Sequence, residues 1–235
     1  MNSSTIAVIQ ARMGSSRVPG KAMIDLAGRP LIGHIFDRVR RIRNIGPIVL
    51  ATTTDPRNER MIKFARMEDI LVYSHSIEDD LAGRIAGAIR NLKGDTVLKV
   101  GGDCPFVDPS VLQMMVNTAI ADPSLDFVSN RIEWSYPLGL SADVLSRRSI
   151  EWADKNLIKP DYLELFAIYI RDNPTQFKVF PIVHHQNLSH LGWTVDEPAD
   201  VEFARYVFGK LYQPGHVFGM HEMLDLLKRD GRLLS

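Results

Sequence analysis

Thr5-Ile-Ala-Val-Ile-Gln-Ala-Arg-Met-Gly-Ser-Ser-Arg-Val-Pro-Gly-Lys21 is the stretch on which the reading of this chain turns. The apolar run Ile6 to Ile9 has the character of a buried strand. It opens into a segment with Gly14 and Ser15 that carries Arg12, Arg17 and Lys21. Small residues let backbone N–H groups approach an anion, and three fixed cations neutralise it. A buried strand opening into such a loop is how α/β proteins hold phosphates at the carboxyl edge of a sheet. The stretch reads as a triphosphate cradle. The plainer alternative is a solvated surface loop with scattered basic residues.

Spacing rules out two familiar phosphate loops. The P-loop requires Gly-x-x-x-x-Gly-Lys followed by Ser or Thr, whereas Gly14 and Gly20 enclose five residues here and Ala22 follows Lys21. The dinucleotide fingerprint Gly-x-Gly-x-x-Gly does not follow the first strand.

Beyond the loop, Leu31, Ile35, Val39 and Ile42 recur at helical spacing, predicting an amphipathic helix over 30–43. Strands are expected at 47–53, 71–73, 96–100 and 126–129, alternating with helices at 59–67, 78–92 and 109–121. That alternation predicts an α/β fold with a mostly parallel sheet covered by helices on both faces. After Asn130 the pattern changes. Residues 133–145 read as an extended loop or hairpin, followed by helices at 148–156 and 161–172, a strand at 176–183, and helices at 198–211 and 219–229. One domain over 1–235 is expected, with 130–190 as an elaboration of it.

At 235 residues the chain is long enough for a full core. Twenty-eight basic and twenty-eight acidic residues balance, so no overall field favours nucleic acid or a membrane surface. A single cysteine, Cys104, excludes an internal disulfide and suits a reducing compartment. No apolar run approaches the roughly 20 residues of a membrane span. A cytoplasmic protein is expected.

Two further stretches carry carboxylates at expected strand ends: Gly101-Gly-Asp103-Cys-Pro105, and Trp193-Thr-Val-Asp196-Glu-Pro-Ala-Asp200. If Asp103 and Asp196 converge, they suit Mg²⁺, which takes one or two carboxylates together with waters and substrate phosphates. Asp103 equally suits a turn, and Asp196 or Asp200 a helix cap. In Ser74-His75-Ser76-Ile-Glu-Asp-Asp80-Leu-Ala-Gly-Arg84, Ser76 is the expected helix cap; the functional reading places Asp80 and Arg84 beside a nucleotide. His184, His185 and His190 lack the context of a zinc site. Cys104 has no base partner to make it a thiolate.

Taken together, these residues resemble the cytidylyltransferases of the acylneuraminate and 3-deoxy-manno-octulosonate group, above all the branch typified by the spore-coat polysaccharide protein SpsF. The likeness rests on 9–21, Ala51-Thr-Thr-Thr-Asp55, Glu78-Asp-Asp-Leu81 with Arg84, Gly102-Asp-Cys-Pro105, Asp126-Phe-Val-Ser-Asn130, Tyr136-Pro-Leu-Gly139 and Thr194-Val-Asp-Glu-Pro198. The resemblance implies a three-layer α/β/α nucleotidyltransferase fold, Rossmann-like, with a mostly parallel mixed sheet. It also implies a homodimer and Mg²⁺-dependent transfer of CMP from CTP to an acidic sugar or related small acceptor, with release of pyrophosphate. The nucleotide would lie against Ala11, Arg12, Gly14, Ser15, Arg17, Lys21, Asp80, Arg84 and Gly102. Arg12, Lys21 and Asp103 would be the catalytic set, and Asp103 and Asp196 the metal ligands. The 130–190 elaboration would serve acceptor binding and dimerisation.

The acceptor side departs from the family pattern. Leu138 and Gly192 stand where the family has Arg, Leu165 follows Glu164 where it has His, and Ser141 and Asp143 replace its acidic pair. Losing Arg at an anion site is a chemical change, because bidentate carboxylate binding needs that side chain. An unusual acceptor is expected. The competing readings are a catalytically lapsed nucleotide-binding module, or use of another nucleoside triphosphate.

Overall fold

The computed structural model describes residues 5–158 and 165–232. Its centre is the predicted first strand, β1 (Thr5–Gln10). Ile6 and Val8 point into one apolar layer and Ala7 and Ile9 into the other, all four at 0% exposure. A strand buried on both faces reads as an unbroken apolar run, which is why periodicity alone did not reveal its two sides.

β1 pairs in parallel with β4 (Ile45–Thr53) on one side and β6 (Thr96–Gly101) on the other. With β5 (Leu71–His75), β7 (Phe127–Ser129), β8 (Ala142–Ser146) and β9 (Val179–Pro181), they form a seven-stranded sheet of order β5-β4-β1-β6-β8-β7-β9. Only β8 runs antiparallel to its neighbours. The short strands β2 (Asp25–Leu26) and β3 (Arg29–Pro30) make a separate hairpin.

The Ile6/Val8 face is covered by α3 (Leu81–Ile89), α5 (Arg147–Asn156) and α6 (Phe166–Asp172), through side chains such as Ile85, Ile150 and Phe166. The Ala7/Ile9 face is covered by α1 (Leu31–Val39), α2 (Glu59–Met67), α4 (Pro109–Ala121), α7 (Pro198–Leu211) and α8 (Met220–Arg229). The result is the expected three-layer α/β/α nucleotidyltransferase architecture with a mostly parallel mixed sheet. No helix among the described residues is long and apolar enough to cross a membrane.

Several expectations need correction. Residues 133–145 are not wholly loop: Ala142–Ser146 is the strand β8, inserted between β6 and β7. Its Asp143 is 1% exposed and looks unlike a core-strand residue, but Lys99 and Arg131 supply its counter-charges. Trp193–Asp196 forms no strand; only an isolated bridge joins Leu138 to Gly192. Asp80, not Ser76, caps α3, so that helix begins three residues later than expected. Pro30 precedes α1 as its cap instead of sitting in the first turn. The strand expected over 176–183 shrinks to Val179–Pro181. The helix expected at 161–172 is present over Phe166–Asp172, and its residues 161–164 lie outside the described ones.

α1 also buries a titratable ring. His34 is 3% exposed and packs against Phe208 and Tyr212 at 4.1 and 4.8 Å between ring centres. Its Nε2–H donates to the Leu26 carbonyl at 2.8 Å. Burial lowers its pKa from 6.5 to about 4, against the opposing effect of the Leu26 hydrogen bond. The unfolded chain therefore binds a proton between these values that the folded chain does not, so stability falls as pH falls through that window. At one pKa unit per 1.36 kcal/mol, the loss approaches roughly 3 kcal/mol. Urea unfolding at stepped pH values should show this loss in the wild type and a flatter profile in His34→Leu. Identical profiles would remove His34 as the cause.

Candidate active site

The site is built where β1 and β6 end side by side, with Gln10 in register with Gly101. Gly102 N–H donates to the Gln10 carbonyl at 2.8 Å. A Cβ on Gly102 would fall 2.5 Å from the Cβ of Ala11 and 2.8 Å from that carbonyl oxygen. Only glycine lets the two loops touch. The contact sets Asp103 beside the basic loop, and the Asp103 carbonyl accepts from Val195 N at 2.9 Å. That bond ties the Asp196 loop to the same edge.

Gly20, at φ 71°, turns the chain into a short 3₁₀ helix, Lys21–Met23. Lys21 projects from it between the two carboxylates. Its Nζ lies 2.7 Å from Asp196 Oδ1 and 3.6 Å from Asp103 Oδ2, and it donates to the Val195 carbonyl at 2.9 Å. The carboxylates that the sequence set far apart thus converge on one cation. Burial pushes the Asp196 carboxyl up, but the hydrogen bond and charge of Lys21, with Arg17, outweigh it and hold the group below the usual carboxylate range. Asp200 plays the capping part: its Oδ2 accepts from both Asp196 N and Glu197 N at 2.8 Å. The Asp196 carboxylate is thereby left free of capping.

The other cations are held by acidic partners. Arg12 Nη1 donates to Glu78 Oε1 at 2.9 Å, and Arg17 Nη1 to Glu197 Oε1 at 3.0 Å. The loop between them is pinned by Asn58, whose Oδ1 accepts from Met13 N at 2.8 Å while its Nδ2 donates to Thr53. Arg84 is 6% exposed, and its Nε is buried with no hydrogen-bond partner among the described residues. Burial, reinforced by the charge of Arg12, lowers its pKa. The side-chain oxygen of Gln10 is likewise buried without a partner.

Ala11, Arg12, Gly14, Ser15, Arg17, Lys21, Arg84, Gly102, Asp103 and Asp196 line a single cavity of about 330 Å³. Of the residues assigned from sequence to the nucleotide, the catalytic set or the metal, Asp80 alone does not line it. Its Oδ1 accepts from Gly83 N at 2.7 Å and its Oδ2 lies 3.1 Å from His75 Nε2, so it anchors the helix that carries Arg84. Three contributors went unassigned in the sequence: Gln10, Glu78 and Glu197. Gln10 carried a signal, as the one polar residue ending an apolar run. The partners of Arg12 and Arg17 lie 66 and 180 residues away; both stand in stretches that carry the family likeness, but nothing local announced the pairing. Burial and the adjacent Asp103 raise the Cys104 thiol well above its ordinary pKa, which leaves it an inert core group.

An unpartnered buried guanidinium nitrogen, two further arginines, a lysine and two carboxylates around one polar cavity are suited to a polyanion accompanied by a cation. The acceptor side has no such equipment at the positions where it was expected. Leu138 and Gly192 face each other across the isolated bridge, Leu138 at 37% exposure, and nothing lies within 4 Å of where a Gly192 Cβ would stand. Leu165 is half-exposed; Glu164 lies outside the described residues.

Comparison with known proteins supplies the family and the fold. The chain is 26% identical over 230 residues to the spore coat polysaccharide biosynthesis protein SpsF of Bacillus subtilis, covering 95% of this chain and 93% of that one. Among solved structures, a cytidylyltransferase from Leptospira borgpetersenii superposes with a TM-score of 0.91 at 21% identity, over 98% of this chain and 97% of the other. A CMP:2-keto-3-deoxy-manno-octonic acid synthetase complexed with CTP superposes with a TM-score of 0.68 at 18% identity, over 89% of this chain and all of the other. The sequence model of the cytidylyltransferase family matches residues 6–192, so this chain belongs to that family.

Proposed function

We propose that the protein transfers CMP from CTP to a small acidic acceptor and releases pyrophosphate. The observation that carries this reading is the Lys21 ammonium held between Asp103 and Asp196, at the mouth of a cavity lined by Arg12, Arg17 and Arg84. The CTP with which the octonic acid synthetase neighbour is complexed, and membership of the cytidylyltransferase family, support the choice of nucleotide.

In this reading an acceptor oxygen attacks the α-phosphorus of CTP, the bond from that phosphorus to the bridging oxygen breaks, and pyrophosphate leaves. The acceptor's proton passes to a neighbouring carboxylate or to water. Arg12, Arg17 and Lys21 release their acidic partners and take up the phosphate oxygens. Such transfer depends on positioning and charge neutralisation more than on covalent chemistry. Gln10 presents a buried amide to the nucleoside, and Ala11 and Gly102 allow it to lie against the backbone.

Asp103 and Asp196 fit a divalent cation, because both already reach the single cation of Lys21. Among the described residues no group of three or more His, Cys, Asp or Glu is placed for a metal. A two-carboxylate site is what Mg²⁺ accepts when phosphates and water complete its shell. Mg²⁺ held there would neutralise charge on the phosphates during transfer. A homodimer fits the same reading, because Trp134, Phe180 and Val183 of the 130–190 segment leave 46%, 44% and 52% of their surface exposed for a second copy to cover.

The test is pyrophosphate release with Mg²⁺ and each of the four nucleoside triphosphates, against acidic sugars and small phosphate or phosphonate acceptors. CTP-specific release that requires an acceptor is the expected result, with Asp103→Asn and Asp196→Asn both inactive. Release with another triphosphate in preference to CTP would overturn the nucleotide assignment. Tight CTP binding with no release across the panel would favour a lapsed module, a reading that the losses at 138 and 192 motivate.

A further inference from the structure

We infer that Arg131 receives the anionic group of the acceptor, a carboxylate or a phosphate-type group, taking the part of the arginines missing at 138 and 192. The inference rests on the transfer reading above and adds to it the acceptor's point of capture.

Topology places Arg131 correctly. β8 is antiparallel to β6, and β7 is antiparallel to β8, so β7 runs in the same direction as β1 and β6. The chain leaving β7 at Ser129 therefore emerges at the same carboxyl edge as Gly101 and Gln10, separated from β6 by the single strand β8. Ligands in open α/β sheets bind along this edge. The Arg131 partner Asp143 pairs with Lys99, two residues before Gly101, while Arg131 itself does not line the cavity between the basic loop and Asp103.

Its geometry leaves it one hand free. Nε lies 3.2 Å from Asp143 Oδ1 and Nη2 lies 2.5 Å from Asp143 Oδ2. Nη1 has no hydrogen-bond partner among the described residues, and the side chain keeps 29% of its surface exposed. A guanidinium clamped along one edge by a buried carboxylate is held in a fixed orientation, with its remaining N–H groups directed away from the clamp.

The charge balance also leaves an excess. Asp143 is 1% exposed and is already satisfied by Lys99 Nζ at 3.0 Å and by the Ser129 hydroxyl at 2.8 Å. Two cations share one carboxylate. Lys99 keeps only 9% of its side-chain surface, so the surplus positive charge meets solvent through Arg131. The nearby Arg171 of α6 is spent differently, since its Nε and Nη2 both donate to Asp172. Leu138 and Gly192 offer no cation at all. A guanidinium clamped on one edge and open on the other, at this end of the sheet, has a use if the acceptor brings a negative charge to it.

The test titrates glucuronate and glycerol phosphate, with glucose and glycerol as neutral controls, into wild type, Arg131→Met and Arg131→Lys. Binding is read by calorimetry or ligand-observed NMR, with and without CTP and Mg²⁺. The wild type should bind at least one acidic probe in preference to its neutral control, and which one it prefers identifies carboxylate or phosphate chemistry. Arg131→Met should weaken that binding roughly tenfold or more, the worth of one charge-assisted hydrogen bond. Arg131→Lys should be intermediate, CTP affinity should stay unchanged in both, and the melting temperature should fall in Arg131→Met, which loses two hydrogen bonds to buried Asp143. Acid binding unaltered in Arg131→Met would overturn the inference, as would a wild type that does not distinguish acidic from neutral probes. Failure of CTP to bind the wild type strikes the transfer reading instead, and the nucleotide-free titrations still judge Arg131.

Discussion

Lys21→Ala is expected to lower cytidylyl transfer by roughly two to three orders of magnitude, the usual cost of removing one preorganised donor from developing charge. The loss should fall on kcat more than on the KM for CTP, because the ammonium meets its phosphate oxygens most closely in the transition state. Lys21→Arg should not restore full rate, since a planar fork does not replace a compact point charge between two carboxylates. From sequence alone Lys21 sits in a basic loop whose replacement would leave the fold untouched. The structure adds a cost. Lys21 keeps only 15% of its side-chain surface and is the shared counter-charge of Asp103 and Asp196. Its removal sets two carboxylates facing each other, and a stability loss of about 1 kcal/mol is expected. Steady-state kinetics with a parallel thermal melt checks both parts. Wild-type kcat in Lys21→Ala would remove the residue from the mechanism.

Asp143→Ala should be the most damaging single change to the fold. It strips the counter-charge from Lys99, which stands opposite Asp143 across β6 and β8 and keeps only 9% of its side-chain surface exposed. Breaking a buried pair by removing one partner costs roughly 3–5 kcal/mol, which for a chain of this size lowers the melting temperature by roughly 10 °C or more. Removing both charges should cost far less: the double variant Lys99→Met, Asp143→Leu should regain most of the lost stability, because the one charge it leaves unpaired, that of Arg131, already reaches water. A melting temperature unchanged in Asp143→Ala would show that the cluster carries no such burden. The Arg131 variants differ in kind, because Lys99 still balances Asp143 when Arg131 is gone.

Much of the site was legible because its residues are local. The basic loop follows directly from an apolar strand, so Arg12, Gly14, Ser15, Arg17 and Lys21 could be placed together from the local sequence, Ala11 followed from the family resemblance, and Gly102 and Asp103 stood after a second strand in the same way. Arg84 was readable for a similar reason, one helical turn from its acidic cap. Asp80 was read less well, because a carboxylate at a helix start serves as a cap or a ligand with the same local sequence.

What stayed hidden depends on distance along the chain. No pattern in 133–145 announced β8, because a strand that carries Asp143 looks polar until Lys99 of β6 and Arg131, just past the end of β7, arrive to neutralise it. Arg131 drew no reading from sequence. The sequence by itself determined the layered α/β architecture and the chemistry of the first loop, since hydrophobic periodicity and loop composition act over a few residues. Only the tertiary structure decided that Asp103 and Asp196 share one cation, that Leu138 and Gly192 are neighbours, and that Lys99 and Arg131 share Asp143. These are facts of convergence, set by sheet order and register, and electrostatic energy depends on distance in space, not on distance along the chain.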